Sequence, residues 1–121
     1  MDLRLFNLDR HENNLLVCNI TTNSRNNPDF HAPSTRHLVP IDHGYALPCK
    51  TTHALPEWCW LYWKQSQMPL SQVIIDYVNA LDINTDISLI KTYLPSIEES
   101  SLDTLRITTL WLKLVFHFYE C

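Results

Sequence analysis

Gly44 is the only glycine in the 121-residue chain, and that scarcity closes off two large classes of nucleotide site. Neither G-x-x-x-x-G-K nor G-x-G-x-x-G can be written with one glycine, so no glycine-rich loop cradles a phosphate here. Basic residues are also sparse. Nine Lys plus Arg against thirteen Asp plus Glu give a net charge of -4, without the basic stripe that a nucleic-acid surface requires, and nucleic acid is set aside as a partner. No apolar run approaches the ~20 residues of a spanning helix, and no basic segment followed by an apolar one opens the chain, so a cytoplasmic protein is expected. The four cysteines, Cys18, Cys49, Cys59 and Cys121, form no C-x-x-C pair. They are expected as free thiols in a reducing compartment, which leaves the sequon at Asn19 idle, and the trio Cys49, His53, Cys59 lacks the knuckle of a zinc site.

What remains is enough for one domain. A hydrophobic share of 45% in a chain of this length can bury a core of its own. The run L-L-V-C at 15–18 and the run L-V-P-I at 38–41 read as short strands. Between them, residues 19–37 are rich in Asn, Thr, Ser and Pro, whose side chains or rings favour turns, so a polar surface loop is expected. Two strands joined by one loop pair most simply as an antiparallel hairpin.

Farther on, the pattern turns helical. Ser71 is placed to cap a helix in which Ile74, Val78 and Leu81 share a face. A second helix fits Asp86 to Leu94 and stops at Pro95; Ser96-x-x-Glu99 has the form of a capping box for a third, whose apolar stripe runs through Leu102, Leu105, Thr109 and Leu112 toward Leu114. The closing V-F-H-F-Y is apolar enough to require cover.

The polar residues at the two ends of the expected hairpin carry the chemistry. The opening segment reads L-D-R-H-E-N-N, and the second strand ends at I-D-H-G. An antiparallel pairing brings Asn14 and Asp42 to the same end, and an amide oxygen with a carboxylate suits a hard cation such as Mg²⁺. Asp9 stands five places before Asn14. An acid able to accept a hydroxyl proton, beside an Asn and an Asp able to hold a metal, is the set that phosphoryl transfer from ATP uses.

In these residues the chain resembles the phosphatidylinositol 3-/4-kinase superfamily, where D-R-H-x-x-N and I-D-x-G take the place of the protein-kinase catalytic and metal-binding motifs. The segments I-D-H-G-Y-A-L-P, W-C-W-L-Y-W-K-Q-S-Q-M-P-L-S, Y-V-N-A-L-D and L-R-I-T-T-L-W-L-K resemble, in order, those of the plant- and protist-type gamma phosphatidylinositol 4-kinases. The resemblance implies an α+β, mainly helical fold: the lower, C-terminal lobe of a protein-kinase-like domain, with a catalytic-loop hairpin packed on helices. In that frame 1–18 form the catalytic loop and a strand, 19–37 the polar loop, 38–44 a strand and the metal-binding motif, 45–70 the activation segment and 71–121 the helices.

It implies Asp9 and His11 as catalytic residues, with His11 touching the terminal phosphate, and Asn14 and Asp42 as the groups that hold Mg²⁺ against ATP. Arg10 and Gly44 are expected to shape the loops, with Gly44 at a positive φ. The implied acceptor is phosphatidylinositol, the alternative a protein Ser or Thr hydroxyl. Trp58, Trp60 and Trp63 would serve either as a peripheral membrane platform or as core, and the demand of a small domain for large apolar groups favours core. Only eight residues precede Asp9, and Lys50, Lys64, Lys91 and Lys113 all follow Asp42. An upper lobe with a nucleotide lysine is therefore expected to be missing, leaving an apolar face for that lobe or for a partner, and with it a second class of function, a non-catalytic interaction module.

Overall fold

The computed structural model describes residues 1–20, 35–49 and 56–119. Most of the polar loop, together with Lys50, His53 and Cys121, lies outside the described residues. The chain begins with a short helix, α1 (Asp2–Leu5), which the sequence pattern did not reveal. It is closed by Phe6 in the left-handed region at φ 46°, with the Phe6 and Asn7 amides both donating to the Asp2 carbonyl. This reversal aims the next residues back across the molecule.

Two paired strands follow. β1 (Asp9–Arg10) is a bridge of two residues, a 3₁₀ turn spans Glu12–Asn14, and β2 (Leu15–Ile20) pairs antiparallel with β3 (Thr35–Pro40). The register runs from Leu15 opposite Pro40 to Ile20 opposite Thr35. The strands thus reach two residues past Cys18 and begin three before Leu38, because Thr and β-branched Ile extend the ladder beyond the apolar runs. β4 (Glu57–Trp58) lies parallel to β1, Asp9 opposite Glu57 and Arg10 opposite Trp58. Two 3₁₀ turns, Cys59–Tyr62 and Lys64–Gln67, carry the chain to the helices.

Helix α2 spans Gln72–Asn79, α3 Ile83–Tyr93 and α4 Glu99–Tyr119. Ser71 is the N-cap of α2 but makes no side-chain capping bond, whereas Asp82 accepts the Asn84 amide and so starts α3 three residues before Asp86. α3 gives way at Leu94, whose φ of -135° is what a residue before proline adopts. α4 begins at Glu99 rather than at Ser96, since the Ile97 amide is taken by the Leu94 carbonyl in a turn.

The core is built on α4. Leu102 and Leu105 meet Ile87 of α3, with Leu5 and Leu47 alongside; two turns farther on, Leu112 and Phe116 meet Val78 of α2. Ile75 rather than Ile74 joins Val78, and Leu114 and Phe118 face outward. The hairpin departs from expectation in its surroundings. Leu16, Val17, Leu38 and Val39, which between them cover both faces of the ribbon, are exposed, so among the described residues no helix covers it.

Candidate active site

Arg10 organises the site. Its side chain is wholly buried, and a guanidinium carries five donors in a fixed fork. Nε donates to Asp2 Oδ1 at 3.0 Å, and Nη1 to the carbonyls of Asn14 at 2.8 Å and Ile41 at 2.5 Å. Nη2 donates to His43 Nδ1 at 2.9 Å, which places the proton of a neutral imidazole on Nε2. One cation thus gathers α1, the 3₁₀ turn and the end of β3. The Ile41 amide also donates to the Asn14 carbonyl at 3.0 Å, extending the ladder by one step. Asn14 and Asp42 therefore flank a single closed junction.

Asn14 is buried, and its Nδ2 donates to the Asp9 carbonyl at 2.9 Å. That contact commits the nitrogen and leaves the amide oxygen as the atom able to meet a ligand. Asp42 is exposed and stands at φ 51°, the left-handed value expected of Gly44, while no glycine has positive φ. The reason is local: in that conformation the Asp42 carboxylate turns onto its own backbone and accepts the Gly44 amide at 3.3 Å, and Asp is among the few side chains that tolerate it. Among the described residues no ion pair engages Asp42. An exposed carboxylate in no ion pair and an amide oxygen beside one junction form a hard donor set that fits a small divalent cation.

His11 caps the 3₁₀ turn. Its Nδ1 accepts the Asn13 amide at 3.2 Å, which assigns the ring proton to Nε2. Nε2 lies 3.6 Å from Asp9 Oδ1, too far for a direct hydrogen bond, so both groups keep capacity for a third partner. The open pocket beside them, about 460 Å³, is lined by His11, Glu57, Trp58, Cys59 and Tyr62.

Four further residues hold this arrangement, and sequence reading did not single them out for it. Asn7, 1% exposed, accepts the Asp9 amide on Oδ1 at 3.0 Å and the Trp58 indole on its carbonyl at 2.5 Å. Its Nδ2 is buried without a partner among the described residues. Trp58 stacks on Trp60 at 5.5 Å, and the Trp60 indole donates to Asp2 Oδ2 at 3.1 Å. Asp2, Asn7, Trp58 and Trp60 close a ring around β1. The two tryptophans are half-buried structural members rather than a free platform, and Asp2 and Trp60, separated by 58 positions, gave no local signal.

With this geometry in view, comparison with known proteins is decisive. Residues 1–117 match the family model described as phosphatidylinositol 3- and 4-kinase. The chain belongs to the phosphatidylinositol 3- and 4-kinase family. It is 39% identical over 114 residues to phosphatidylinositol 4-kinase gamma 8 of Arabidopsis thaliana, and 40% identical over 114 residues to phosphatidylinositol 4-kinase gamma 1 of the same plant. Phosphatidylinositol 4-kinase gamma 4 of Oryza sativa subsp. japonica is 37% identical over 113 residues. Each comparison covers 93% of this chain but only 21%, 19% and 18% of the relative. The chain thus spans about a fifth of the length of these family members. No solved structure matches it.

Proposed function

We propose that this chain carries the catalytic-loop and metal-loop portion of a phosphotransferase that moves the γ-phosphate of ATP to an inositol-lipid hydroxyl. The observation that carries the reading is the Arg10 junction, which brings the Asn14 turn and the Asp42 loop together with Asp9 and His11 alongside. Asn14 through its amide oxygen and Asp42 through its carboxylate are the residues that would hold Mg²⁺. When bound, the metal would offset the charge of the nucleotide phosphates.

The chain's own groups supply the rest. Asp9 accepts the proton of the acceptor hydroxyl, and its backbone amide, pinned by Asn7, limits where the carboxylate can swing. His11 offers its Nε2 proton to phosphoryl oxygens, since its other nitrogen is occupied by the Asn13 amide. Arg10 spends its donors on backbone carbonyls, Asp2 and His43, so it positions the loops and touches no reacting atom. A cytoplasmic enzyme working at a membrane surface follows from a lipid acceptor; among the described residues no helix is long and apolar enough to cross a membrane.

The test is a chimera in which residues 1–117 replace the matched segment of the Arabidopsis gamma 1 relative. Transfer from labelled ATP is measured to phosphatidylinositol and, in parallel, to a Ser/Thr protein acceptor. We expect lipid phosphorylation, reduced about 10²–10⁴-fold by Asp9→Ala, and a raised Mg²⁺ requirement in Asp42→Asn. Transfer to protein alone would reassign the acceptor. Transfer indifferent to both substitutions would rule out the roles given to Asp9 and Asp42.

A further inference from the structure

The pocket beside His11 does not end at Trp58. Trp58 also lines a second cavity of about 450 Å³, together with Ile107 and Trp111 of α4, Leu3 of α1 and Phe6 just after it. Pro56, Trp58 and Leu61 line both spaces, so the two are adjoining compartments with a common wall. Their chemistry differs sharply. The first carries the imidazole of His11, the carboxylate of Glu57 and the thiol of Cys59. Among the residues lining the second, only the Thr108 hydroxyl is a polar side-chain group other than the tryptophan indoles, and it already donates to the Arg4 carbonyl at 2.5 Å, while the Trp58 indole donates to the Asn7 carbonyl. No charged side chain faces the second cavity among the described residues.

From this juxtaposition we infer that the apolar cavity is an acyl-chain subsite, holding one fatty chain of a phosphoinositide acceptor while the headgroup lies in the compartment of His11 and Glu57. The inference rests on the phosphotransfer reading above and adds to it where one acyl chain of that acceptor lies. An amphiphile with a polyol head and a hydrocarbon tail needs one wet and one dry compartment in contact, and a volume of this order is that of an ordinary ligand cavity. An extended peptide carrying a Ser hydroxyl would instead need backbone donors and acceptors along its path, and of the side chains lining the dry compartment only the Trp111 indole could supply one. Glu57 has a place in the same scheme. It stands opposite Asp9 in the β1–β4 bridge, where a carboxylate can accept hydrogen bonds from ring hydroxyls next to the one being phosphorylated.

Binding to the 121-residue chain tests the subsite without requiring turnover. The probe is dioctanoyl-phosphatidylinositol with brominated acyl chains, below its micelle concentration, read by quenching of tryptophan fluorescence, with Trp58 and Trp111 on the cavity wall as reporters. Saturable quenching is expected, with weak competition from glycerophosphoinositol, which has the head and no tails. Ile107 is 64% exposed at the cavity rim, so Ile107→Glu should fold normally and weaken binding about tenfold or more by placing a charge against the chain. Leu110→Glu, a comparably exposed change on α4 outside the cavity, should leave binding unchanged. Because the readout needs no turnover, loss of the subsite is separated from loss of phosphotransfer. Quenching unaffected by Ile107→Glu, quenching lost equally in Leu110→Glu, or equal quenching by a brominated phosphatidylcholine would each overturn the assignment.

Discussion

Arg10 shows how one side chain can set the geometry of a site without taking part in its chemistry. Its charge is matched by Asp2 at 3.0 Å, and its remaining donors hold the Asn14 and Ile41 carbonyls, which carry the two candidate metal-holding residues or their neighbours. A lysine has three donors around one point and cannot span these acceptors. Arg10→Met would leave the buried Asp2 carboxylate without its cation and remove the guanidinium donors from the Asn14 and Ile41 carbonyls, the first of which keeps the Ile41 amide. The expected loss is about 3–5 kcal/mol of stability, read from the shift of the urea midpoint, together with loss of transfer in the chimera. A loss below 1 kcal/mol would mean that Arg10 is not buried as described. D-R-H-x-x-N named Arg10 only as a loop-shaping residue; its four acceptors come from three separate stretches of chain, and that choice is made in space.

At the scale of elements, α4 is the beam to which the other helices attach. Leu102 is fully buried between α3 and the loop after Asp42, so Leu102→Ala should cost about 2–5 kcal/mol. Thermal or urea unfolding would measure it. The turn joining α3 to α4 is held by charge. Lys91 in the last turn of α3 and Arg106 both bond Glu99, at 2.9 and 2.8 Å. These hydrogen bonds, Lys91 first and Arg106 second, hold the Glu99 carboxyl below its ordinary 4.5, while Glu99 and then Asp103 raise the Arg106 guanidinium. A lowered carboxyl stabilises the fold above its unfolded value, and that contribution disappears as the pH falls through the folded one. Glu99→Gln should therefore narrow the difference in Tm between pH 6 and pH 3, and an unchanged difference would remove Glu99 from the linkage. The effect should be small and salt-sensitive, because the cluster is exposed.

Asp82 gives α3 a second pH-dependent anchor. Its carboxyl is lowered chiefly by the Thr85 hydroxyl and then by the Asn84 amide, so acid weakens this cap as well. The sequence pattern located all three long helices from the spacing of their apolar residues. It placed the start of α3 three residues late, because Asp82 caps the helix through the Asn84 amide, and set the cap of α4 too early, because a turn from Leu94 to Ile97 intervenes.

For the whole molecule, what is uncovered matters as much as what is buried. Val17 and Leu38 face each other across the ribbon, 63% and 52% exposed. Val17→Thr keeps β-branching and should change stability by no more than about 0.5 kcal/mol; a larger loss on urea unfolding would show that this face is covered in solution. Along α4, Ile107, Trp111, Leu114 and Phe118 form a second exposed apolar stripe. Surfaces of this kind mark contacts with other chains or with lipid.

Residue type and spacing by themselves determined the family motifs, the two strand segments, the helical stripes and the candidate quartet of Asp9, His11, Asn14 and Asp42, because each of these is a property of neighbours along the chain. The tertiary structure alone decided that Arg10 is the buried hub, that Asp42 rather than Gly44 takes the left-handed backbone, that Trp58 and Trp60 are fastened to Asn7 and Asp2, and that a dry cavity adjoins the polar one. Those outcomes depend on which distant groups meet, and a buried donor or charge takes its partner from wherever the folded chain supplies an acceptor.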